Sequence, residues 1–398
     1  MERISVGERR ARLGRRHRLA GSAQAADPVE AAASMVVLHA TDPATVHLSI
    51  AARVPGSEVA GTERALYDER TLIRMLGMRR TVFVVPTSFA SVVQAACTDD
   101  IAVRQRKLLV KHLEEAGIAA NTEECAKWLR AVEESTATAL TLRGSATAQE
   151  LSADEPRLRS RLAMAPGKSY AAQPYVTSRV LFQLSAEGRI VRGRPLGTWL
   201  SGQHQWSPVE NWLPDGLGDK LSADDARTTL ARAWLGTFGP GTSADLQWWS
   251  GWTLGQTRKA LAAVEAVEVD LDGSIGYVLP GDEAPTEEPE PWVAFLPALD
   301  PTPMGWKDRA WYLGEHKSRM FDSTGNIGPS VWANGRIVGG WGQPESGDVR
   351  YQLLDDVGRE TAAAIETEAN RWTTWLAGVR ITPRGRRPSP MEEELSKR

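Results

Sequence analysis

The sequence is poor in cysteine, lysine and histidine, and it has no long apolar run. Its two cysteines, Cys97 and Cys125, stand far apart, without CxxC or Cys/His ligand spacing. That argues against a disulfide scaffold or a zinc site, and makes a reducing cytosol the expected compartment. No stretch approaches the roughly 18 apolar residues of a membrane span. The charged start, MERISVGERRARLGRRHRL, is followed by no hydrophobic segment, so no secretory signal is expected. None of the six histidines stands in metal-ligand spacing with another, and no metal is expected. Walker, GxGxxG, GxSxG, HExxH and DxDxDG motifs are all missing, which removes most nucleotide-dependent, serine-hydrolase and zinc-protease classes.

What is present is a globular composition over 398 residues, 42% apolar and 24% charged, enough for two to four packed units. The net charge is −3 and unevenly spread. Residues 1–20 hold seven arginines against Glu2 and Glu8, giving +5, while 282–290 (DEAPTEEPE) give −5 and Glu392, Glu393 and Glu394 a further −3. Removing those five and three negative charges from the net −3 leaves +5 on the remainder. Only nine of the 47 basic residues are lysine. Arginine suits phosphate and base edges, although genomic GC content also favours it. Only Trp128 precedes residue 199; the other fourteen tryptophans follow, so the two halves should build their cores differently.

Capping and periodicity divide the chain. Asp42 before Pro43 predicts a helix over about 43–53. Helical spacing continues through 63–77, so Arg79 and Arg80 are expected at a helix end before a strand over 81–85. A long helical region over 88–134, interrupted near 117–121, closes a first unit. A second unit has helices near 147–152 and 174–187 and strands at 189–192 and 203–209. The third has helices over 223–238, 243–249 and 253–264, then a hairpin turning on Asp272-Gly273. Helices therefore lead into a strand or hairpin three times, at 72–86, 180–209 and 253–280. That order fits the winged helix-turn-helix, although helix-then-strand also recurs by chance. The acidic, proline-rich 282–291 reads as a linker. Residues 292–343 read as β-rich with an Asn334-Gly335 turn, 355–377 as a terminal helix, and 383–398 as a frayed polar tail.

The densest polar cluster in an apolar run is His39-Ala40-Thr41-Asp42. One reading is structural: Asp42 caps the helix, Thr41 bonds the turn, and His39 is a satisfied, half-buried side chain. The other is chemical: in an extended segment His39 and Thr41 point the same way and could hold a water. Basic candidates for a groove or phosphates are Arg79 and Arg80 beside the first strand, and Arg189, Arg192 and Arg194 on the second hairpin.

The segments VVLHATDPATVHLSIAARV (36–54), LIRMLGMRRTVFVVP (72–86), LFQLSAEGRIVRGRPLGTWLSGQHQW (181–206), LPALDPTPMGWKDRAWYL (296–313) and VWANGRIVGGW (331–341) carry a resemblance. In that order they resemble the winged-helix DNA glycosylases of the AlkZ and AlkX (YcaQ) type, a branch of the winged helix DNA-binding domain-containing superfamily. The resemblance implies a mainly α fold with β-hairpin wings (α+β). Its parts would be three tandem winged-helix units (1–134 with the basic lead-in, 135–220 and 221–281), the 282–291 linker, a β-rich part with a terminal helix (292–382), and the tail 383–398. It implies a monofunctional DNA glycosylase acting on N-alkylated purines in duplex DNA, with no cofactor, no membrane partner, a monomeric state and a cytoplasmic, nucleoid-associated location. The family's Gln-x-Gln or Gln-x-Asp pair falls on His39 and Thr41, so neither glutamine is present. Those two residues are the expected catalytic pair, with His39 the main water-positioning group. The alternatives are a non-catalytic DNA-binding regulator or lesion-shielding protein, and a protein-contact module using the late tryptophans.

Overall fold

The computed structural model describes residues 1–163 and 172–397, so part of the expected unit 135–220 and the final residue of the tail lie outside the described residues. It is a mixed α/β fold in which helices predominate over short strands. The strands are β1 (Glu2–Arg3), β2 (Leu38–His39), β3 (Leu72–Gly77), β4 (Thr81–Pro86), β5 (Ile190–Pro195), β6 (His204–Pro208), β7 (Val267–Leu271), β8 (Ser274–Val278), β9 (Val293–Leu296), β10 (Ser330–Ala333), β11 (Arg336–Gly342) and β12 (Arg350–Leu353). They form four small sheets, ordered β2-β4-β3, β5-β6, β1-β7-β8 and β12-β11-β10-β9, antiparallel except for β1 beside β7.

Strong caps place helices where the sequence reads them. Ser222, Thr242 and Thr253 each accept a hydrogen bond from the backbone three residues on, and they start Ala223–Phe238, Ser243–Ser250 and Leu254–Ala263. The β7–β8 hairpin then turns on Asp272 and Gly273, both at positive φ, as the Asp-Gly pair requires.

Several elements differ from the sequence reading. The helical spacing over 63–77 ends early: Leu72–Gly77 is β3, buried along its whole length. A fully buried strand shows no alternation, so periodicity cannot separate it from a buried helix. Arg79 and Arg80 consequently sit at the tip of the β3–β4 hairpin, not at a helix end, with φ of 54° and 64°. The helix Thr122–Arg143 runs through the expected division at 134/135. The tail is not frayed: Pro390–Lys397 is a helix whose Met391 and Leu395 are buried against glycines 340 and 342 of β11.

The basic start and the acidic linker, far apart in sequence, are neighbours in space. Arg12 donates to the carbonyls of Asp282 and Ala284, Arg16 pairs with Asp282 at 2.6 Å, and Arg15 pairs with Glu287 at 2.9 Å. Ser22 donates its N–H to Glu290 at 2.6 Å. The linker's charge therefore cannot be set aside to leave a positive remainder; it neutralises the N-terminal arginines locally.

One buried polar network ties these parts together. Arg53 donates two parallel bonds to Asp300, each 2.8 Å, and neither side chain has any exposed surface. Ser49 adds a third donor to Asp300. Arg53 also donates to Thr302, which hydrogen-bonds His17 Nδ1 at 3.0 Å, while His17 Nε2 faces the Thr237 carbonyl. The Arg53 charge and its hydrogen bonds hold the Asp300 carboxyl below its ordinary range despite burial. Asp300→Asn leaves the guanidinium unneutralised in the core. Urea unfolding should show a loss of about 3–5 kcal/mol, and an unchanged midpoint would show the pair to be dispensable.

Candidate active site

His39 is placed by strand pairing. It lies opposite Phe83 on β4, which lies opposite Met75 on β3, so these three side chains share one face of the sheet. The imidazole meets Phe83 edge-on at 5.3 Å. With Arg79, Trp249, Pro301 and Met304 it lines a small cleft of about 40 Å³, room for about one water. Nδ1 is buried and has no hydrogen-bond partner among the described residues. Burial, and secondarily the Arg79 charge, push the imidazole down to about 3. His39 is therefore neutral throughout the physiological range. It is too weak a base to keep a proton, yet it can donate at one ring nitrogen and accept at the other.

Thr41 does not line this cleft. It is exposed and lies under Gly385, where a Cβ would fall 2.9 Å from Thr41 Cγ2. Asp42 caps the helix Pro43–Ala51 through one oxygen, and the C-terminal segment takes the other: the Arg384 N–H and Arg386 Nε reach it at 3.2 and 3.3 Å. Arg386 is buried and also donates twice to Glu392. Burial raises the Asp42 carboxyl, with Arg386 opposing.

Among the basic candidates, only Arg79 joins His39. Its guanidinium stands 4.3 Å from the Trp248 ring centre, and its stem lies against Gly251, where a Cβ would come within 3.0 Å of Arg79 Cγ. Gly251 is the left-handed residue ending the helix Ser243–Ser250, so glycine serves both the turn and the close approach. Arg309 also stands over Trp248, at 4.8 Å, and donates to the Trp306 carbonyl. Neither Arg79 nor Arg309 forms an ion pair among the described residues. Burial lowers both guanidiniums, and Arg309 lowers Arg79 further.

The other candidates lie elsewhere. Arg80 is exposed and donates to Gln105 at 3.1 Å. Arg189 pairs with Glu134 at 2.8 Å, and Arg194 pairs with Asp68 at 2.7 Å and Glu63 at 3.5 Å. Arg192 lies over the Trp206 ring at 5.2 Å, and no carboxylate among the described residues pairs with it. Arg309, Trp248 and Trp249 were not singled out from the sequence. Arg309 falls inside the conspicuous segment 296–313, but no spacing rule marks it. Among the described residues, no group of three histidine, cysteine or carboxylate side chains is placed to hold a metal ion, and no helix is long and apolar enough to cross a membrane.

Comparison with known proteins adds three findings. The family model described as DNA glycosylase AlkZ-like matches residues 32–375. An interstrand DNA cross-link repair glycosylase of Streptomyces sahachiroi is 28% identical over 161 residues, which is 38% of this chain and 43% of the relative. The chain thus matches less than half the length of that relative. The solved structure of the Streptomyces sahachiroi DNA glycosylase AlkZ superposes with a TM-score of 0.73 at 22% identity, covering 96% of this chain and 99% of that one. At that identity the likeness speaks for the fold.

Proposed function

We propose that this chain, which belongs to the DNA glycosylase AlkZ-like family, is a monofunctional glycosylase that hydrolyses the N-glycosidic bond of N-alkylated purines in duplex DNA. The observation that carries the reading is His39: a neutral, unpartnered imidazole at a water-sized cleft that Arg79 also lines, with Arg309 sharing the Trp248 ring with Arg79 and neither guanidinium ion-paired among the described residues. The name of the cross-link repair relative supports the same direction, and the extended structural likeness supplies the fold. We also read the three helix-to-hairpin repeats, ending at β3–β4, β5–β6 and β7–β8, as tandem winged-helix units that hold the duplex, with the 292–382 region completing the enclosure.

The chemistry asks little of the protein. An N7-alkylated purine is cationic and leaves as a neutral base, so it needs no general acid. The C1′–N bond breaks with its electron pair going to the purine. A water oxygen bonds C1′, and its proton passes to solvent, because His39 cannot retain it. His39 orients that water, a positioning contribution. Arg79 and Arg309 hold flanking phosphates rather than the cationic base. Thr41 lies outside the cleft and in this mechanism does not touch the reacting atoms. A full-length protein that cleaves a duplex carrying one N7-methylguanine supports the reading; tight duplex binding without release of any alkylated base would make it a non-catalytic DNA-binding protein. Arg79→Ala should weaken duplex binding about ten-fold and flatten the salt dependence by about one unit of slope, as read by fluorescence anisotropy from 50 to 200 mM salt. An unaltered slope would remove Arg79 from the interface.

A further inference from the structure

A second site lies across the sheet from His39. Arg74 on β3 stands opposite Val84 on β4, and Val84 opposite Leu38 on β2, so Arg74 projects from the face that His39 does not use. Arg74 is 4% exposed. Its Nη1 donates to His204 Nε2 at 2.7 Å, and His204 Nδ1–H donates to the Gly193 carbonyl at 3.2 Å, a pattern that needs a neutral imidazole. Burial, together with Arg74 and Arg192, pushes His204 down to about 3. In front of this pair opens a cavity of about 410 Å³, lined by Arg192, His204, Trp206, Gln149, Gln203 and Leu196 among others.

The charge of this cavity is out of balance. Arg192 remains a cation at neutral pH although burial lowers it to about 10. It rests over Trp206 and offers its donors to no carboxylate or carbonyl among the described residues. Arg74 has no acidic partner there either, and its Nε is buried and unsatisfied. The nearby carboxylates Glu63 and Asp68 are taken by Arg194. Arg192 on the cavity wall and Arg74 behind His204, neither with an acidic partner among the described residues, call for an anion. The volume exceeds what one phosphate fills and falls in the range of ligand pockets. Aromatic and amide side chains suit the flat, polar edge of a base.

We infer that this cavity binds a nucleotide unit, with its phosphate on Arg192 and its base against the Trp206, Gln149 and Gln203 wall. The inference does not rest on the glycosylase reading, because it concerns the opposite face of the sheet and its test reads binding alone. The source of the nucleotide is either free nucleotide or an unpaired position in a DNA strand.

Isothermal titration of the full chain with dGMP, deoxyguanosine and inorganic phosphate tests it. Sub-millimolar dGMP binding, at least ten-fold tighter than either fragment, is expected. Arg192→Gln should weaken dGMP at least ten-fold. Gln149→Glu, a change at an exposed position, should do the same by placing a carboxylate at the rim, and it guards against misfolding of the first variant. Competition by a short single strand, lost in Arg192→Gln, would identify a strand position as the source; dGMP binding that the strand leaves undisturbed would identify free nucleotide. Equal affinity for dGMP and deoxyguanosine, no dGMP binding at millimolar concentration, or indifference to both substitutions overturns the inference.

Discussion

Replacing His39 with alanine should lower single-turnover release of N7-methylguanine by roughly 100-fold or more, about 2.7 kcal/mol of transition-state stabilisation. The size follows from position. Among the described residues, His39 is the one side chain at this cleft with an unsatisfied buried ring nitrogen, and the cleft has room for about one water. Alanine removes the group proposed to orient the attacking water without disturbing β2, because the backbone pairing of Leu38 and His39 with β4 stays intact. Duplex binding should change little, so the loss should appear in the rate of release at saturating protein. Glutamine at the same position can both donate and accept a hydrogen bond without titrating. His39→Gln should therefore keep most of the activity, and thermal unfolding of both variants should match the parent within a few degrees. Loss of activity in His39→Gln together with a collapsed melting temperature would instead mark His39 as a packing residue.

A second large effect concerns acid. His17, His39, His47 and His204 are all pushed down to about 3, in each case chiefly by burial. Their folded-state values lie below the ordinary value near 6.5, so between about pH 3 and 6.5 the unfolded chain binds more protons than the folded one. The stabilisation is fully present above pH 6.5 and is lost as pH falls through that window. Each histidine contributes a slope of up to about 1.4 kcal/mol per pH unit. His17 and His47 are essentially without exposed surface, and these two alone set a loss of about 2–3 kcal/mol per unit near pH 5. His17 shows why. Its protonation would aim an extra N–H at Thr302, which already receives a hydrogen bond from the Arg53 cation. Urea unfolding at pH 7 and at pH 5 should differ by several kcal/mol, and His17→Asn should flatten the dependence by about one proton. A midpoint constant between pH 7 and 5 would show that these histidines protonate without cost.

Local chemistry was legible wherever a short-range signal exists. The caps at Ser222, Thr242 and Thr253, the Asp272-Gly273 turn and the Asp42-Pro43 helix start act within a few residues, and the structure uses them as read. Strand β3 was lost to helical spacing because a strand buried on both faces carries no period of two. The pairing of the N-terminal arginines with 282–290, and of Arg386 with Asp42, joins ends of the chain that no local rule connects. The same limit governs the site. His39 stands out as a polar residue in an apolar run, and Arg79 as part of a basic pair. Arg309 and Trp248 come together with Arg79 only through folding. Net charge, in turn, says little about a DNA partner here, since five of the seven arginines in the most basic segment are spent on internal ion pairs.

In the proposed mechanism a neutral His39 positions water for base release. Single-turnover excision of N7-methylguanine from a duplex, followed from pH 6.5 to 9 with the wild-type chain beside His39→Ala, tests it most directly. Measurable release by wild type, at least about 100-fold above the variant and at a rate independent of pH across that range, is expected. Release no faster than His39→Ala, or a rate that titrates with a midpoint near 6.5, would contradict it.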